Sequence, residues 1–191
     1  IGTNNTVTGT RSGAIGDPTD VNADDSYSVG NNNTIADGQT DVFVLGNNVT
    51  ATASNSVFLG TGSAYVAAGA TTAGMDTYDS ETINGNTYNF AGGTPDGVVS
   101  VGSEGKERRI QNVAAGKVSA ESTDAINGSQ LYSAMENTQQ SVTNLGNQIS
   151  NVENRARKGI AGAAALAALH PMDFDPDDKL TFAAGMGHYR G

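Results

Sequence analysis

Five glycines stand in near-constant register in the first third of the chain. Gly2, Gly16, Gly30, Gly46 and Gly60 are separated by 14, 14, 16 and 14 residues. Each follows a branched apolar residue: Ile1, Ile15, Val29, Leu45 and Leu59. In three units another apolar residue lies two positions earlier, at Tyr27, Phe43 and Val57. Alternation over so short a run marks a strand with one buried face. The glycine, followed by Asn, Asp or Thr, marks a turn expected to need φ > 0. Val7, Val21 and Ile35 mark a second strand five residues after the glycine. Each unit of about 14 residues is therefore two short strands and two turns. One unit cannot close a core, but stacked copies can, as a parallel β-solenoid or roll. Asn and Thr recur at the turns, where they can ladder from coil to coil.

Composition agrees with a repetitive, self-associating chain. Among 191 residues Leu occurs seven times, Trp never, and aromatics make up 6%, against 25 Gly and 19 Asn. A globule of this length normally buries a broad aliphatic core, which this chain cannot assemble alone. The absence of Cys excludes disulfides and thiolate metal sites. The two His, His170 and His188, leave little for His-based catalysis. Residues 1–105 carry one basic residue, Arg11, against eleven acidic ones, so the whole formal charge of −10 lies there. Such a surface repels nucleic acid and anionic headgroups. The chain opens in mid-pattern without an initiator Met or signal peptide, as a piece of a longer protein would. No apolar run approaches the ~20 residues of a membrane-spanning helix.

Residues 64–97 break the period. Asn84-Gly85 lies between Thr82-Ile83 and Thr87-Tyr88, a hairpin signal. This stretch reads as an insertion that leaves the roll and returns at Val98-Val99-Ser100-Val101-Gly102, another copy of the strand–glycine unit. Two further stretches follow: Lys106-Glu-Arg-Arg-Ile-Gln-Asn-Val-Ala-Ala-Gly116 and Ser122-Thr-Asp-Ala-Ile-Asn-Gly-Ser-Gln-Leu131. Together they resemble the neck of the trimeric autotransporter adhesins, the YadA-like family. The resemblance extends over the chain in the family's order of head, neck, stalk and anchor. It implies a mainly β fold plus coiled coil: a left-handed parallel β-roll head, a neck, a parallel trimeric coiled coil and a first barrel strand. The implied divisions are 1–63 for the head repeats, 64–97 for a head insert and 98–129 for the last repeat and neck. They continue with 130–169 for the coiled-coil stalk and anchor helix, and 170–191 for the first strand of a truncated outer-membrane anchor.

The stalk has its own signal. Leu131, Met135, Thr138, Val142, Leu145, Ile149, Val152, Ala156, Gly159, Ala163 and Leu166 alternate by four and three, a heptad seam. The seam residues allow a dimer as readily as a trimer, so the trimer is an implication of the resemblance. Beyond His170-Pro171, which stops the helix, Leu180, Phe182, Ala184 and Met186 alternate with smaller residues. That pattern suits a transmembrane β-strand and resembles the first strand of the family's twelve-stranded anchor.

Little catalytic chemistry is written in the chain. Asp173, Asp175 and Asp177 alternate like a calcium loop but lack its Gly and Glu. No nucleophile–base constellation stands out, and neither a cofactor nor a metal is expected. A β-solenoid enzyme is the remote alternative: a hexapeptide acyltransferase needs a six-residue period and a His in its coils, and a lyase needs clustered charge on a strand face. The resemblance implies instead a non-enzymatic adhesin on the surface of a Gram-negative bacterium. It would be a homotrimer exported by type V secretion, anchored in the outer membrane, and binding host extracellular matrix or cell-surface receptors through its head. A surface-coat role in autoagglutination or serum resistance fits the same architecture. The candidate residues are the repeat glycines Gly2, Gly16, Gly30, Gly46, Gly60 and Gly102, and the seam residues Leu131, Met135, Val142, Leu145, Ile149 and Val152. To these are added Arg108, Arg109 and Asp124 for ion pairs between protomers in the neck, and Tyr78, Tyr88 and Phe90 as ligand anchors.

Overall fold

A computed structural model describes residues 1–169, 176–177 and 182–188. The chain divides into two units, residues 1–126 and 127–191. The first unit is built from strands of two or three residues. They are β1 (Thr6–Val7), β2 (Gly13–Ile15), β3 (Thr19–Val21), β4 (Tyr27–Val29), β5 (Asn33–Ile35), β6 (Phe43–Leu45), β7 (Thr50–Ala51) and β8 (Val57–Leu59). Odd-numbered β1, β3, β5 and β7 pair in parallel as one sheet, while β2, β4, β6 and β8 begin a second. The register follows the glycine spacing, with Tyr27 opposite Gly13, Phe43 opposite Tyr27 and Val57 opposite Phe43. The repeat is thus a coil of a parallel solenoid.

The chain turns twice per coil, and the residues at the turns are mostly not glycine. Arg11, Asp25, Asp41 and Asn55 lie one above another with φ between 51° and 57°, and Asn4, Asn32 and Asn48 near 54°. Asn and Asp tolerate this left-handed region better than other side chains. Only Gly2, Gly30 and Gly60 of the repeat glycines have positive φ; Gly16, Gly46 and Gly102 do not. The expectation that all six need φ > 0 is therefore corrected. What excludes a side chain is close approach. A Cβ on Gly46 would lie 2.6 Å from the Gly60 carbonyl carbon.

The coil interior is thin. The two sheets send Val21, Ile35 and Ala51 from one side and Val44 and Phe58 from the other into a core completed by Ala23, Val42 and Val49. Buried polar side chains close the remaining bonds. Thr19 Oγ1 donates to the Gly30 carbonyl at 2.8 Å, and Asn33 Nδ2 donates to that of Gly46 at 2.7 Å. Asn33 Oδ1 accepts from the Val49 N–H at 3.0 Å. Outside, the Asn ladder forms: Asn31 N–H donates to Asn47 Oδ1 at 2.7 Å, and Asn32 Nδ2 to Asn48 Oδ1 at 2.8 Å.

After β8 the chain makes an excursion before the sheet resumes. Strand β11 (Val99–Ser100) pairs with β8, Val99 opposite Val57, so the sheet continues across the whole excursion. Within it β9 (Ser80–Ile83) and β10 (Asn86–Asn89) form an antiparallel hairpin. Asn84 and Gly85, at φ 51° and 79°, make the two-residue turn. The second unit holds one long helix, α1 (Gly128–Ala167). Asn127 caps it, accepting from Gln130 N–H while the Gln130 side chain reaches back, a capping box. Residues 182–188 of the expected anchor strand hold no regular element, and His170, Asp173, Asp175, Leu180 and Thr181 lie outside the described residues.

Candidate functional site

The strands of the second sheet alternate, and in β2, β4 and β6 the larger apolar residues point out of the coil, whereas β8 turns Phe58 inward. Ser28, Val44 and Phe58 are buried, whereas Tyr27, Val29, Phe43, Leu45 and Leu59 are exposed. The expected buried face is thus the outer one, uncovered in the single chain. The reason is volume: two sheets back to back leave room for Ser and Val, with Phe58 the largest side chain admitted. With Ile15 and Val99 the outer face forms one continuous stripe, and Tyr27 stacks on Phe43 with ring centroids 5.5 Å apart. An apolar stripe over five neighbouring strands marks an association surface.

Helix α1 makes the same demand. None of its 40 residues is buried, and Leu131, Met135, Val142, Leu145, Ile149 and Val152 are each more than half exposed. A helix about 60 Å long draws most of its stability from packing an apolar face. Among the described residues the seam residues Leu131 to Val152 are left uncovered. The outer stripe and the seam are both open apolar surfaces of the kind that marks association.

Arg108 closes the end of the roll within its own chain. Its guanidinium donates to the carbonyls of Val101 at 2.6 Å and Thr61 at 2.8 Å, and it lies over Gly60. Those two carbonyls sit at the last coil, where no further strand supplies donors. Asp124 accepts from the Lys117 backbone N–H at 2.9 Å. Arg109 makes no ion pair among the described residues. Among the described residues Arg11 pairs with Asp25, from coil to coil, and Glu153 with Arg157 along α1. The Arg11 guanidinium, by hydrogen bond and charge, holds the Asp25 carboxyl below its ordinary range.

Tyr88 lies on β10, Tyr78 just before β9 and Phe90 just after β10, and the three are about two-fifths to one-half exposed. Tyr78 and Phe90 touch, ring centroids 5.3 Å apart, and the Tyr78 hydroxyl donates to Glu81 at 3.2 Å. Desolvation and that bond push the Tyr78 phenol up from its ordinary value. The described residues contain no cluster of acidic and His side chains able to hold a metal. No helix among them is long and apolar enough to cross a membrane. The αL turn residues and the Arg108 cap escaped the sequence reading. The first had a signal, the Asn and Asp recurring at fixed offsets from the glycines; the second had none.

Residues 109–154 match the family model for the coiled stalk of trimeric autotransporter adhesins. Over 65 residues, 32% of the chain, the sequence is 60% identical to the autotransporter adhesin BtaE of Brucella suis biovar 1. The match covers 9% of that relative's length. Among solved structures, the C-terminal YadA-like domain of a Burkholderia pseudomallei protein is 38% identical with a TM-score of 0.44. That alignment covers 80% of this chain and 57% of the other.

Proposed function

We propose that the chain belongs to the trimeric autotransporter adhesins and is a homotrimeric binding module acting between a bacterial cell and its host. Its similarity to an autotransporter adhesin supports a position at the cell surface. We assign its export to type V secretion and its anchoring to an outer-membrane barrel that begins within residues 170–191. The partner is a host extracellular-matrix protein or cell-surface receptor, engaged through the roll and its insert. The observation that carries the reading is the pair of uncovered apolar surfaces in one chain, the outer stripe of the roll and the heptad seam of α1. Each is satisfied by further copies of the same chain. In the neck, Arg109 and Asp124 pair between protomers, while Arg108 keeps its cap on the roll. The adhesive role is supported by the relative that is itself an autotransporter adhesin, and by a head whose outward turns are Asn, Asp and Thr. The adhesin family points to binding rather than catalysis.

The test is a screen of the purified trimer against matrix proteins and host receptors. Saturable binding to at least one is expected. Self-association of the trimers without binding to any host protein would replace adhesion by an autoagglutinating coat.

A further inference from the structure

Residues 64–97 hold Asp76, Asp79, Glu81 and Asp96 and no Lys or Arg. In the hairpin, Glu81 stands opposite Tyr88 and Ile83 opposite Asn86. Side chains alternate along a strand, so these four share one face. Phe90, two residues beyond Tyr88, extends that face, its N–H donating to the Asp79 carbonyl at 2.7 Å. Tyr78 joins it through its ring contact with Phe90 and its bond to Glu81. The other face carries Ser80, Thr82, Thr87 and Asn89, with the Thr82 and Thr87 hydroxyls 3.0 Å apart. The hairpin thus segregates its residues. One face is wholly polar; the other presents Tyr78, Ile83, Tyr88 and Phe90, which are 47, 52, 51 and 39% exposed, around the Glu81 carboxylate.

We propose that this face docks an extended, Lys- or Arg-rich segment of a protein ligand. The rings of Tyr88 and Phe90 receive cationic side chains on their faces. The Glu81 carboxylate pairs with a second cation. That carboxylate is already oriented, with Oε1 accepting from the Thr82 N–H at 3.1 Å and Oε2 from the Tyr78 hydroxyl. Charge complementarity selects the occupant. Residues 1–105, which hold the face, carry eleven acids against one cation, Arg11, which Asp25 already holds, so a cationic occupant is favoured there. A basic peptide is attracted by the whole acidic head and then finds rings and a carboxylate side by side. The inference rests on the adhesive reading and names the chemistry of its ligand.

The experiment titrates the full chain, as its trimer, with a short alternating Arg-Gly peptide at physiological ionic strength. Tyr88→Ala and Phe90→Ala, which change no charge, should each weaken binding about fivefold, and so should Glu81→Gln. Asp37→Asn removes the same unit charge from an exposed turn of the roll and should leave binding unchanged. Equal weakening by Asp37→Asn and Glu81→Gln, with none from Tyr88→Ala, would overturn the proposal in favour of a diffuse field. Loss of the trimer in Tyr88→Ala would overturn it too, because the face would then belong to self-association. A host-protein screen that finds nothing, beside peptide binding that Tyr88→Ala weakens about fivefold, sinks the adhesive reading and leaves this site standing.

Discussion

Gly46 and Asn48 stand two residues apart on one turn and are constrained by different physics. Gly46 is fixed by space, since a Cβ there meets the backbone of Gly60 one coil on. Asn48 is fixed by conformation, at φ 54°. Bulk forced into a packed backbone costs about 3 kcal/mol, whereas Ala in the left-handed region costs about 1 kcal/mol. Gly46→Val should therefore lower the thermal midpoint of the roll much further than Asn48→Ala, and calorimetry of the two variants ranks them directly. Equal shifts would mean that the glycines do not stack. Asn33 is a third case. It is 2% exposed and bonds the Gly46 carbonyl, Ser28 Oγ and the Val49 N–H. Asn33→Ala strands those groups in the interior, at a cost of about 2–3 kcal/mol. Its midpoint should fall near that of Gly46→Val. The glycine register was legible in the sequence because only one residue type lacks a side chain. Its cause was not, because positive φ and close backbone approach select the same residue.

Helix α1 was legible in its period, and the hairpin in the single dipeptide Asn84-Gly85. The strands were legible in position but not in orientation. In β6, Phe43 and Leu45 face out while Val44 faces in, and in β8 Phe58 faces in. A strand covered on both sides offers apolar residues to both, so alternation alone cannot say which side is the core. The heptads carry the prediction at this scale. Ile149 is 67% exposed in one chain and lies at position a of the seam. Ile149→Asp would bring three carboxylates together on the axis of a trimer, where desolvation and repulsion both favour the protonated form. The assembled pKa then rises above the ~3.9 of a free Asp. The unfolded chain releases its protons first, so stability falls as pH rises from about 4 until the raised value is passed. Circular dichroism should show the stalk frayed at pH 7 and partly restored near pH 3. A variant fully helical and trimeric at pH 7 would displace Ile149 from the seam.

The whole molecule is decided by surfaces that one chain leaves open. The stripe from Ile15 to Val99 and the seam of α1 lie in separate units, and both are exposed apolar surfaces in one chain. Sedimentation equilibrium should return three times the chain mass of 19.4 kDa. Leu45→Glu, which puts an acid into the stripe, should loosen association of the roll. Asn47→Glu, two residues along on the polar turn, should not. A trimer of this chain carries about −30 charges, all of them in residues 1–105 of its three copies. Its polar turns repeat with each coil, so a single contact is weak and the gain comes from several made at once. Linking such contacts raises avidity by about 10²–10⁴ without any new bond. Binding to a host ligand found by the screen should therefore fall by at least about 10² when the trimer is dispersed by Ile149→Asp together with Leu45→Glu, provided the roll retains its strand signal. Each dispersed protomer keeps its turns and its hairpin intact. Binding unchanged by dispersal would place the whole affinity in one protomer and remove repetition from the mechanism.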